Sequence, residues 1–379
     1  MTHDERTVRR RGSNWARRAL PIVAAFGCLS GFGPVAVASA TPREADLRVT
    51  SVSPSQDAKN VPGTSQIAIR FSSPISTSAP PPLLSPSVPG NWTTSGRLLV
   101  FTPTGAFPPD SKVTVTIRGG ESGVVAIDGA RLKATDTAAF TTEGGSVLRA
   151  EQLLAQLGYL PVTWHPGRPL ARTPAEFERA VYVAPHGRFL FPADAPQPLR
   201  ELWRPDRSSS QILQSALTSF DRSENLAAGS GLSGPFWSTL LRLGRRPMLH
   251  RNPDGFTYAL VDKNVGNNRP ETITIFQDGH VVLESPANTG IAASPTADGT
   301  YAVYLKFQNQ VMSGVSPLGQ PYSDPVSWIS YFNGSDAVHY IYRAEYGFPQ
   351  SFGCVELSWA VAERSYGLLQ LGTLVTVES

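Results

Sequence analysis

Two side chains with the means for nucleophilic chemistry stand fifteen residues apart, His339 and Cys354, within Ala337-Val-His-Tyr-Ile-Tyr-Arg-Ala-Glu-Tyr-Gly-Phe-Pro-Gln-Ser-Phe-Gly-Cys-Val-Glu356. The chain has two cysteines, and the other, Cys28, lies in an apparent export leader. Removal of that leader leaves Cys354 with no disulfide partner, and a lone thiol in an exported protein is an accident or a reagent. A thiol attacks as the thiolate, and at an ordinary pKa of about 8.5 it is mostly protonated at neutral pH. His339 can take the proton and remain as a stabilising imidazolium. Cys354 also precedes a predicted helix near Ser358–Leu369, whose N-terminal amides favour negative charge by a few tenths to about 1 kcal/mol. Gly353 lets the backbone approach a substrate and can turn its amide, with that of Cys354, toward an oxyanion. One such donor is typically worth about 3 kcal/mol of transition-state stabilisation. By spacing alone, an unreactive buried cysteine beside a structural histidine fits as well.

The elements that must position these residues are mostly strands. The chain of 379 residues is 41% hydrophobic and only 17% charged, with 33 Gly and 33 Pro, which points to several β-rich domains and loops. Ile67, Ile69 and Phe71 alternate, as do Val113, Val115 and Ile117, with a short apolar run Leu98 to Phe101 between them. Period two at such spacing predicts a β-sandwich over about 44–144, read as a spacer. Glu143-Gly-Gly-Ser146 reads as a flexible join. Leu148, Leu153, Leu154 and Leu157 then fall on one helical face, and helical patterns return at Ile212–Phe220 and Gly231–Leu240. Between them, a Pro- and Arg-rich insertion over 161–208 carries Trp164, Tyr182 and Trp203, aromatics that either bind carbohydrate or fill a small core. From Leu249 the pattern is again strand, with a hairpin turning at Gln277-Asp-Gly-His280 and a terminal strand at Thr373–Val377.

The first forty residues hold six arginines against Asp4 and Glu5. They carry +4 against a total of +3, leaving about −1 for the remainder, so nucleic-acid binding has no electrostatic support. The leader's apolar stretch closes on Ala38-Ser39-Ala40, a small-x-small cleavage pattern. Cleavage there, lipidation at Cys28 or an uncleaved anchor all place the body of the protein in the cell envelope or beyond it. Membrane contact is then expected only through the leader. His165, His186, His250, His280 and His339 are dispersed without ligand spacing, so no metal and no cofactor is expected.

The pattern His339-x(14)-Cys354 with Ser351-Phe-Gly-Cys354 resembles the L,D-transpeptidase (YkuD-like) family. The likeness runs over about 255–379, including Asn288-Thr-Gly290, Ser294–Thr300, Met312-Ser-Gly314 and Trp328–Gly334. Residues 44–144 resemble bacterial Ig-like domains, from Val52–Val61 to Ala139-Phe-Thr-Thr142. Leu153-Leu-Ala-Gln-Leu-Gly-Tyr-Leu160 resembles small helical peptidoglycan-binding domains. The resemblance implies a mainly β chain of four parts: a leader over 1–40, an Ig-like domain over 44–144, a peptidoglycan-binding-like helical domain with an insertion over 147–245, and a catalytic domain over 250–379. Cys354 is then the nucleophile on the carbonyl between the third and fourth stem residues of peptidoglycan, releasing D-Ala. His339 is the base and then the acid, oriented by the backbone carbonyl of Tyr340, and Gly353 contributes to the oxyanion hole. Met312, Tyr322, Trp328, Ser351 and Glu356 are expected to meet the substrate, and the products are 3→3 cross-links or hydrolysed stems. Carbapenems are expected to acylate Cys354. The sequence departs from the family at Tyr340, where glycine is usual, at Phe352, where a second histidine is common, and at Glu356, where Arg or Asn is common. A carboxylate at Glu356 is expected to raise the thiol pKa. The competing reading is a non-catalytic wall-binding protein that has kept the fold.

Overall fold

The structure is a computed structural model and describes residues 46–379 except 170–172, 250, 267 and 318. The expected leader, its cleavage site after Ala40 and Cys28 lie outside the described residues.

The alternating runs form a two-sheet sandwich. One sheet has the order β1-β2-β5-β4, from β1 (Val49–Ser53), β2 (Ile67–Phe71), β4 (Gly90–Ser95) and β5 (Leu98–Pro103). The other has the order β3-β6-β7, from β3 (Leu83–Ser85), β6 (Lys112–Ile117) and β7 (Asp136–Thr141). Ile67, Ile69, Phe71, Val113, Val115 and Ile117 are all buried between the sheets, as strands with one inward face require. The join after the sandwich, expected to be flexible, is tied down. Glu143 N–H donates to Val61 O and Ser146 N–H to Val181 O, while Gly145 lies so close to Trp237 that a Cβ there would meet the indole at 2.4 Å.

Ser146 caps α1 (Val147–Gln156) by accepting from Arg149 N. β8 (Thr163–Pro166) pairs with β9 (Gly187–Leu190), flanked by α2 (Pro174–Arg179) and α3 (Gln197–Glu201). α4 (Gln211–Ser223) and α5 (Gly234–Gly244) complete this segment. Trp164 is buried in its core, and Tyr182 and Trp203 are partly buried against it. The same core takes in Phe256, Tyr258, Phe276 and Leu374.

The C-terminal part is built on two sheets. A five-stranded one runs β12-β11-β10-β18-β13, from β10 (Thr257–Asp262), β11 (Thr272–Gln277), β12 (His280–Pro286), β13 (Gly299–Ala302) and β18 (Leu374–Glu378). Asp278 and Gly279 both take positive φ, 51° and 85°, which the two-residue hairpin turn between β11 and β12 requires. A four-stranded sheet runs β14-β15-β16-β17, from β14 (Leu305–Val315), β15 (Pro321–Asn333), β16 (Asp336–Tyr340) and β17 (Val355–Leu357). α6 (Trp359–Leu368) follows β17, and Ala259, Ile273, Val338, Val355 and Ala362 share one buried cluster. Among the described residues no helix is long and apolar enough to cross a membrane.

Candidate active site

β16 and β17 are parallel, with Val338 opposite Val355 and His339 opposite Glu356. Parallel neighbours need a crossover, and here it is the loop over 341–354, whose end delivers Cys354 beside the start of β16. Asn288, fully buried, holds that loop. Its backbone pairs both ways with Glu356, at 3.0 and 2.9 Å. Its side-chain oxygen accepts from Gly347 N–H (2.8 Å) and Phe348 N–H, and its amide donates to Glu345 O (3.2 Å). Thr289 O accepts from Ser351 N–H (3.0 Å), and Thr289 is itself fixed by Glu271 at 2.7 and 2.8 Å. Thr296 donates to Gly353 O at 2.8 Å. The Asn288-Thr-Gly290 and Ser294–Thr300 stretches therefore act by shaping the crossover.

Ser351 belongs to the same scaffold. It is 2% exposed and its hydroxyl donates to Cys354 O (2.6 Å) while accepting from Gly353 N–H (3.2 Å). It holds the cysteine loop and does not line the cleft, contrary to its expected contact with substrate. Gly353 sits at φ +120°, and a Cβ there would come within 2.3 Å of Asp336 Oδ1, so the position admits glycine alone without rearrangement.

His339 is 3% exposed and its Nδ1 lies 3.1 Å from Tyr340 O. A carbonyl only accepts, so Nδ1 carries the proton and the neutral ring keeps Nε2 as an acceptor. Burial holds the His339 pKa below its ordinary value, opposed by the Tyr340 hydrogen bond. The Tyr340 ring packs edge-on against Trp359, centroids 4.9 Å apart, so the residue that replaces the usual glycine anchors α6.

Cys354 is half-buried, with Sγ 3.8 Å from Ser335 O. Burial pushes its thiol up to about 12, reinforced by the Asp336 and Glu356 carboxylates and opposed by a hydrogen bond from the Ala337 backbone. Asp336 is itself pushed up to about 6 by burial. The resting pair is thus neutral thiol and neutral imidazole.

Both groups line one cleft of about 280 Å³. Glu356 joins them from β17, Met312, Tyr322, Asp324 and Tyr331 from the β14–β15 hairpin, and Arg343 and Phe352 from the crossover. Phe352, where a second histidine is common, packs against Tyr322 at a tilt, with centroids 5.7 Å apart. Trp328 is elsewhere. At φ +59° its indole turns to Trp359 and Tyr366, 5.7 Å from each, so it supports α6 and does not touch the cleft. Glu356 is 4% exposed and doubly bonded to Arg343, Oε2 to Nε and Oε1 to Nη2, both at 2.7 Å. Arg343 escaped the sequence reading. Its signal is that it is the single cation in the crossover leading to the strand that carries the cleft carboxylate.

A model of the L,D-transpeptidase catalytic domain (YkuD) matches residues 257–377, and one of the bacterial Ig-like domain matches 43–142. No curated protein sequence matches the chain. Among solved structures, an L,D-transpeptidase from Mycobacterium smegmatis is 14% identical over 88% of this chain and 100% of its own, at TM-score 0.29. The catalytic domain of an Enterococcus faecium L,D-transpeptidase is 26% identical over 32% of this chain and 96% of its own, also at 0.29. L,D-transpeptidase 3 from Mycobacterium tuberculosis is 14% identical over 87% of this chain and 98% of its own, at 0.29. The chain therefore carries an L,D-transpeptidase catalytic domain of the YkuD type over 257–377, preceded by a bacterial Ig-like domain over 43–142.

Proposed function

We propose that the protein is a cysteine L,D-transpeptidase that acts on peptidoglycan stem peptides in the cell envelope. The observation that carries this reading is that His339 and Cys354 line one cleft, with the His339 proton held on the Tyr340 side so that Nε2 remains an acceptor. As the Cys354 thiol attacks the carbonyl between the third and fourth stem residues, its proton passes to Nε2. A C–S bond forms and the carbonyl π pair moves onto oxygen. The Gly353 N–H is already engaged by Ser351 Oγ, which leaves the Cys354 amide as the loop's donor to that oxyanion. Collapse breaks the C–N bond, and the imidazolium protonates the departing D-Ala amine. The resulting thioester passes to a side-chain amine of a second stem, giving a 3→3 cross-link, or to water; neutral His339 takes the acceptor's proton and returns it to the Cys354 sulfur as the C–S bond breaks.

Because the resting pair is neutral, proton transfer accompanies attack; no thiolate waits in the cleft. Met312 and Tyr322, which line the same cleft, serve as substrate contacts, and the charged pair Arg343–Glu356 forms the polar wall. A non-catalytic wall-binding role is the second reading, favoured by one observation, the thiol pushed up to about 12. The experiment is cross-linking of purified tetrapeptide stems by the intact protein and by Cys354→Ala. Abolished cross-linking with retained folding supports catalysis; undiminished cross-linking, or none by the unaltered protein, removes it.

A further inference from the structure

Outside the catalytic cleft, Arg149 is a buried charge with little to compensate it. It stands in the first turn of α1 and is 2% exposed. Its guanidinium lies between the rings of Trp164 and Phe177, 5.8 and 5.3 Å from their centroids. Nη1 donates to Gln152 Oε1 at 3.1 Å, and Nε is buried without an acceptor. Among the described residues no carboxylate pairs with Arg149, and Glu151 Oε1 is itself buried without a partner. Glu178 pairs with Arg245 at 2.5 Å, and Glu151 accepts from Asp206 N–H at 2.8 Å. No carboxylate perturbs Arg149, whose pKa is pulled down to about 10 by burial alone. A buried cation without a counter-charge is costly, and the first turn of a helix, which favours anions, makes it more so.

Arg149 also borders an open cavity of about 370 Å³, shared with Phe177, Pro174, Pro185, Pro247 and Arg245. We infer that this cavity binds a small monocarboxylate, with Arg149 as its counter-charge and Phe177 and the three prolines as the seat for an aliphatic or peptidic body. With Nη1 taken by Gln152 and Nε sealed, Nη2 is the nitrogen left to meet a carboxylate, in a charge-assisted hydrogen bond. With Arg245 already neutralised by Glu178, one positive charge is free among the described lining residues, which suits a monoanion and not a phosphate dianion. The site does not depend on catalysis at Cys354.

The test is NMR of arginine Nε–H groups in the full-length protein during titration with N-acetyl-D-alanine, with its amide as control. The Arg149 signal, identified by its loss in Arg149→Met, is expected to shift saturably with the acid and not with the amide. Arg149→Met, apolar and close in length, is expected to melt no lower than the unaltered protein without ligand and to lose the rise in melting temperature that the acid produces. An unmoved signal, an equal response to the amide, or a response to inorganic phosphate alone overturns the assignment. A lower melting point for Arg149→Met together with an unmoved signal makes Arg149 a structural residue. Should Arg149→Met not fold, loss of the signal in Arg149→Lys identifies it in its place.

Discussion

Removing Arg343 isolates the carboxylate that most alters this cleft. Glu356 is 4% exposed and held by two 2.7 Å bonds to Arg343, whose side chain is 31% exposed. Breaking a buried pair from one side costs about 3–5 kcal/mol. Because Arg343 reaches solvent, water takes back part of this, and Arg343→Met is expected to lose about 2–3 kcal/mol. That corresponds to a fall of roughly 5 °C or more in melting temperature for a domain of this size. Glu356→Gln leaves a cation that can turn toward water and should cost about 1 kcal/mol or less. The double substitution removes both charges and should be more stable than Arg343→Met alone, with a coupling of about 1–2 kcal/mol. Chemical denaturation of the four proteins measures the cycle. The pH profile of kcat/KM gives an independent sign. Arg343 lowers the His339 pKa and Glu356 raises it, and the base must be neutral to accept the thiol proton. Arg343→Met therefore moves the acid limb to higher pH, and Glu356→Gln moves it to lower pH. Equal, additive losses from the two single substitutions, with acid limbs that do not move apart, would refute the pairing argument.

Iodoacetamide should modify Cys354 at a rate that keeps climbing through about pH 8–10, since its thiol is pushed up to about 12; a plateau near neutrality would mean a preformed thiolate. Gly353→Ala should cost about 1–3 kcal/mol and lower kcat/KM, because the new methyl meets Asp336 Oδ1 at 2.3 Å on a backbone at φ +120°; both are read by melting and steady-state kinetics. Trp328→Ala should lower stability by about 3 kcal/mol in denaturation without raising KM for stem peptides, since the indole supports α6 outside the cleft.

The sequence made some of this legible because some signals are local. Ile67, Ile69 and Phe71 alternate because one sheet face is buried, and Asp278-Gly279 names its hairpin because the turn needs positive φ twice. The helix expected at Ser358–Leu369 is α6 at Trp359–Leu368. His339 and Cys354 were legible as a pair because one crossover joins adjacent strands, which turns fifteen residues of sequence into neighbours in the sheet. What stayed hidden depends on register and backbone hand. Glu356 read as an unopposed carboxylate because nothing local shows that the crossover folds Arg343 back onto it. Trp328 was expected at the substrate only through the family resemblance, which does not show that its backbone takes a positive φ with the indole against α6. Ser351 read as a substrate contact because a motif records position and not the direction of a hydroxyl. Arg149 carried no signal at all, since a charge in a first helical turn is ordinarily solvated.

The central claim is covalent chemistry at Cys354 with His339 as its base. Intact and peptide mass spectrometry of the protein after incubation with a carbapenem and, separately, with a tetrapeptide stem tests it most directly. An adduct of the drug's mass, and a stem adduct lacking D-Ala, both mapped to Cys354, absent in Cys354→Ala and formed at least about a hundredfold more slowly in His339→Gln, are the predicted results. An unmodified Cys354 in folded protein, or the same adducts formed as fast without His339, would contradict the account.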